Sequence, residues 1–160
     1  MILDILSEHL QSNCALVGVG NVLYGDDGFG PQIIKQLKNE TCVPLLDGGI
    51  APENLTGPLN TLRPEVVIIF DAVALEAPAG SLHWLTPQDL ETTGISTHGP
   101  SLDILMDYLR QNLDVKIFIV GIVPAQIALG QNLSKTVRTV TQRLVDFISK
   151  LRPTSKKEVQ

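Results

Sequence analysis

GVGNVLYGDDGFGP, Gly18 to Pro31, directly follows an apolar run and holds five glycines and two adjacent acids. Two kinds of loop place glycines after a strand: one cradles phosphate, the other turns tightly to present side chains. The dinucleotide fingerprint needs glycine at its first, third and sixth positions; Gly18 and Gly20 fit, but the sixth position is Leu23. The phosphate loop that ends in Gly-Lys-Ser/Thr fails too, because Gly25 is followed by Asp26 and Asp27. Two carboxylates standing where an anion would bind repel it, so the stretch favours a cation. A nucleotide-binding domain is the weaker alternative.

The apolar run ahead of this loop, Cys14–Val19, has counterparts at Cys42–Leu46, Val66–Phe70 and Val115–Val120. Each is short, rich in β-branched residues and free of strict alternation, the pattern of parallel strands covered on both faces. Helical spacing lies between them, at Ile33, Ile34 and Leu37 and again at Leu102, Leu105, Met106 and Leu109. Leu133, Val137, Val140, Leu144, Phe147, Ile148 and Leu151 predict one long amphipathic helix, and MILDILSEHLQ at the start predicts a short one. SLHWLT reads as an additional edge strand, and Gly57-Pro58 and Arg63-Pro64 predict a loop with short turns before the third strand. Strands alternating with helices imply one α/β domain over residues 1–152, followed by a polar tail over 153–160. The expected architecture is three-layer α/β/α, with an open, mostly parallel twisted sheet of about five strands.

Composition narrows the function. A single domain of this size buries roughly 70% of its unfolded surface and needs no staples. Lys and Arg total 12 against 17 for Asp and Glu, a net charge of −5 with no basic run, which argues against nucleic acid. No basic export signal heads the chain, and no apolar stretch is long enough to span a membrane, so a cytoplasmic location is expected. Cys14 and Cys42 lack Cys-x-x-Cys spacing and read as plain buried thiols.

Ligands of an open parallel sheet bind beyond the carboxyl ends of its strands. The residues expected there are Asn21, Asp26 and Asp27 after the first strand, Asp47 after the second and Asp71 after the third. His98 joins them from the polar loop GISTHGPS that leads into the next helix. Carboxylates with an imidazole and no nearby thiolate suit a borderline divalent metal such as nickel or zinc. Structural roles compete with this one: an Asp after a strand is often a cap or turn former, which fits Asp26, and Asp47 before Gly48-Gly49 braces its own loop. Asp71 closes a wholly apolar run, where desolvating a carboxylate needs a functional reason. His9 and His83 read as packing or surface residues.

Gly-x-Gly-Asn, then Asp-Asp-Gly-x-Gly, a strand-terminal Asp-Ala and a loop Thr-His, in this order, resemble the hydrogenase maturation endopeptidases. The likeness covers about residues 14–150, and DGGIAPEN, Asp47 to Asn54, is similar to the branch that processes the formate-hydrogenlyase-type large subunit. The resemblance implies a peptidase that removes a C-terminal extension from the nickel-loaded precursor of a nickel-iron hydrogenase large subunit. It implies that Asp27, Asp71 and His98 form the catalytic, metal-reading cluster; from their own positions, Asn21 and Asp47 are expected behind it. The nickel would come with the substrate, and no tightly bound cofactor of the enzyme's own is expected. A nickel checkpoint that binds the precursor without cutting it is the alternative from another class.

Overall fold

The computed structural model describes residues 1–94 and 99–154. Among them α1 (Ile2–Leu10) leads into β1 (Cys14–Val19), a 3-10 turn over Gly25–Gly28, and α2 (Phe29–Leu37). β2 (Leu45–Gly49), a second 3-10 turn over Pro52–Leu55, α3 (Thr56–Leu62) and β3 (Val66–Ala72) follow. β4 (Leu82–Leu85), α4 (Pro87–Thr93), α5 (Gly99–Asn112), β5 (Lys116–Ile122) and α6 (Lys135–Leu151) complete the fold. The five strands form one sheet in the order β2-β1-β3-β5-β4. All pairs are parallel except the edge strand β4, which runs antiparallel to β5. No helix among the described residues is long and apolar enough to cross a membrane.

The three-layer expectation holds, and the strand period of two explains it. Leu16, Ile68 and Phe70 point to one face, where Leu6 and Leu10 of α1, Ile33 and Leu37 of α2, and Leu144 and Ile148 of α6 cover them. Ala15, Val17, Val67 and Ile69 point to the other, under Leu59 of α3, Leu90 of α4 and Leu102 to Leu109 of α5. Because β1 and β3 are buried on both faces, their sequences show no alternation.

The structure corrects the sequence reading at three places. The second strand begins later than Cys42, which is exposed, while Cys14 is buried, so only one thiol belongs to the core. Gly57-Pro58 does not break the chain: both lie in the first turn of α3, where a proline has no helical N–H to lose. Arg63 then ends that helix in the left-handed conformation, φ 47°, ahead of Pro64. α4 was not expected; Thr86 and Asp89 form a capping box at its start, with Pro87 at the first helical position. Edge strand β4 is present where SLHWLT predicts it, and His9 has the expected packing role, stacked on Trp84 with ring centroids 5.3 Å apart.

The sheet order also places the site. From β1 the chain crosses outward to β2, then returns past β1 to β3 on its other side. Connections therefore diverge between β1 and β3, and a crevice opens beyond their carboxyl ends. Asp27 and Asp71 both stand at that end.

Candidate active site

The turn that carries Asp27 is fixed by close backbone approach. Gly30 lies so near the ends of the sheet that a Cβ would collide with the carbonyl oxygens of Val19 and Phe70. Glycine thus lets the first turn of α2 sit directly over the ends of β1 and β3. At Gly20, φ is +146° and a Cβ would strike the carbonyl oxygen of Asp27, so at this point the chain leaving β1 and the acidic turn meet backbone to backbone. The glycines shape a seat for side chains, and the sixth fingerprint position, Leu23, is exposed.

Asp27 is buried, and its Oδ2 accepts a hydrogen bond of 2.9 Å from the backbone N–H of Asn21. The Asn21 side chain in turn accepts from the N–H of Leu23 at 3.0 Å, making a local turn of its own. Asn21 therefore positions Asp27 through its backbone while its side chain shapes the loop. Asp71 is 1% exposed and pairs in register with Gly121 of β5, one residue beyond the Gly18–Phe70 pairing of β1 with β3. The 3-10 turn bearing Asp27 contacts β3, so one carboxylate reaches the crevice from the turn after β1 and the other from the end of β3.

Asp26, next in the chain, does something else. It is fully buried, and its carboxylate accepts from the N–H groups of Ala125 at 2.8 Å, Gln126 at 3.0 Å and Ser134 at 2.7 Å. The Ser134 hydroxyl adds a fourth bond at 2.9 Å. Hydrogen bonds to an ionised acceptor are the stronger kind. Asp26 is thus structural, as the sequence suggested, yet it caps no helix of its own. It ties the acidic turn to the loop between β5 and α6, and Ser134 at the same time caps α6 by accepting from Val137.

Asp47 is exposed and accepts from the N–H of Gly49 at 3.0 Å, bracing the end of β2. It pairs in register with Gly18, one strand away from β3. His98, the remaining expected ligand, lies outside the described residues. Among the described residues no three His, Cys, Asp or Glu side chains are grouped to hold a metal ion. Of the expected site residues, Asp27 and Asp71 are the two that the structure buries at the carboxyl ends of β1 and β3.

Sequence reasoning passed over two features beside the crevice. Glu53, in the 3-10 turn after β2, keeps Oε2 buried with no hydrogen-bond partner among the described residues; an acid in a turn at the carboxyl end of a strand was the available signal. Val22, Leu23 and Tyr24 on one loop and Ile127 and Leu129 on the other are exposed apolar side chains. The loops are bonded, Gly130 N–H to Leu23 carbonyl at 2.8 Å and Gly25 N–H to Gln131 carbonyl at 3.1 Å, so these side chains share one rim. A clustered apolar rim around a polar centre marks a surface that meets another protein.

The family model described as hydrogenase maturation protease matches residues 31–151. The chain belongs to the hydrogenase maturation protease family. It is 34% identical to the hydrogenase 3 maturation protease of Escherichia coli over 138 residues, covering 81% of this chain and 86% of that protein. A putative hydrogenase maturation protease of Methanocaldococcus jannaschii is 25% identical over 165 residues, covering 93% of this chain and 97% of the relative. The crystal structure of the nickel-iron hydrogenase maturation protease HycI from Thermococcus kodakarensis superposes with a TM-score of 0.83 at 25% identity, over 92% and 97% of the two chains. The protease is therefore a peptide-bond hydrolase of hydrogenase maturation, and its open α/β sheet is the fold of its relatives.

Proposed function

We propose that the protease removes the C-terminal extension from the nickel-loaded precursor of a nickel-iron hydrogenase large subunit, reading the precursor's nickel through Asp27, Asp71 and His98. The observation that carries this reading is the placement of two buried carboxylates at the one crevice where the sheet's connections diverge. Carboxylates are hard oxygen ligands, and two of them at one crevice suit a divalent cation. A nickel ion already seated in the substrate can complete the set only when the precursor docks. Such a site ties cleavage to metal insertion.

This chain's own groups have separate tasks. The Asn21 N–H holds one oxygen of Asp27 in place, and Asp71 is fixed by the end of β3. The apolar rim suits a folded protein substrate better than a small solute. A cytoplasmic location goes with this substrate.

The test is one incubation of the protease with nickel-loaded and with nickel-free precursor, read by intact mass. Only the loaded precursor should lose its extension. Equal cutting of both would overturn the reading of nickel, and no cutting of either would overturn the substrate.

A further inference from the structure

β2 is the outermost strand beside β1, and among the described residues its outer edge is unpaired. In a parallel ladder, successive residues turn their backbone groups to one neighbour and then the other. The Pro44 carbonyl accepts from the Leu16 N–H at 2.9 Å, so Leu46 faces β1 while Leu45 and Asp47 turn their N–H and C=O groups outward. Among the described residues nothing pairs with those outward groups. An open edge of this kind templates another strand.

A groove of about 540 Å³ runs between that edge and α2, lined by Val22, Pro31, Ile34 and Leu45, with Lys35, Lys38 and the carboxylate of Asp47 as its charged groups. Its Val22 end adjoins the acidic turn. α2 starts at the crevice, and at the helical rise of ~1.5 Å per residue Lys38 lies about 10 Å farther down the axis than Pro31. Lys35 and Lys38 are exposed and enter no ion pair among the described residues. Two unengaged cations against the one carboxylate of Asp47 leave the Lys35–Lys38 end of this groove favouring an acidic segment.

We propose that the groove takes the precursor's C-terminal extension as an added antiparallel strand on β2, with an acidic side chain or terminal carboxylate of that segment against Lys35 and Lys38. The proposal rests on the precursor reading above. Direction follows from geometry: the scissile bond sits at the crevice, and the chain downstream leaves past Val22 and Asp47 toward Lys38, opposite to β2. At about 3.4 Å per residue the lysines are reached about three residues beyond the groove's entrance. Backbone pairing gives affinity for any extended segment, and the lysines select an acidic one.

Two measurements test it. Amide exchange of the protease is followed with a synthetic peptide of the extension in excess, and processing of nickel-loaded precursor is compared between wild type and the double variant K35E/K38E. The N–H groups of Leu45 and Asp47 should slow by about tenfold under the peptide, and the variant should lose that effect. K35E/K38E should raise KM by about tenfold at nearly unchanged kcat, and K35R/K38R should restore it. Wild-type processing with unchanged exchange and an unchanged KM in K35E/K38E would overturn the groove and leave the precursor reading intact. A precursor left whole by the wild type would overturn both. Slowing that needs no peptide and grows with protein concentration would assign the edge to a second copy, overturning the proposal.

Discussion

Asp26 and Asp27 are adjacent, identical in chemistry and both buried, yet they belong to two different regions. Asp26 faces the loop between β5 and α6, where three N–H groups and a hydroxyl converge on its carboxylate. Asp27 faces the end of β1, where the Asn21 N–H holds Oδ2 beside the crevice. The first region spends its carboxylate on structure, while the second holds its own at the crevice where the proposed chemistry would take place. The 3-10 turn separates the two, because neighbouring residues there project in different directions.

Substitution should split the regions cleanly. Asp27→Asn and Asp71→Asn each keep an acceptor oxygen and remove a charge, so processing should fall by about a thousandfold or more while folding is kept or strengthened. Processing rates together with melting curves check this, and a melting temperature lowered by several degrees in both would make these acids structural. Asp26→Ala should show the reverse. It strands the N–H groups of Ala125, Gln126 and Ser134, at a cost of about 2–4 kcal/mol, or a melting point lower by about 10 °C. A variant that melts like the wild type would remove the clamp.

Ser134→Ala is the milder form of the same test. It deletes one bond to Asp26 and the cap on Val137, and should cost about 1 kcal/mol by denaturant titration. The smallest effect separates the buried face from the surface without touching stability. Burial pushes the Cys14 thiol above its ordinary pKa, so less thiolate is present at neutral pH, while Cys42 is exposed. A thiol reagent should label Cys42 at once and Cys14 only on unfolding. Equal labelling rates would contradict the packing at the start of β1.

The two regions were unequally legible in the sequence. Asp27 and Asp71 stood out because each follows an apolar run, and a strand's end is visible as the place where hydrophobicity stops. Asp26 looked like a cap because sequence shows neighbours only, and its partners lie about a hundred positions away in the chain. The rim formed by Leu23 and Leu129 was invisible for the same reason, since neither loop is apolar enough alone to draw notice.

What the sequence determined by itself is what local chemistry dictates. Unbroken β-branched runs require a sheet covered on both faces, helical spacing requires helices over it, and two acids among glycines reject a phosphate. Tertiary structure alone decided the rest. It chose the order β2-β1-β3-β5-β4 and with it the crevice between β1 and β3; among the described residues it left the outer edge of β2 unpaired beside Lys35 and Lys38; and it gave one of two adjacent acids to the clamp and the other to the crevice. Those outcomes depend on which distant backbone groups meet, and backbone groups are the same in every residue, so no side-chain pattern announces them.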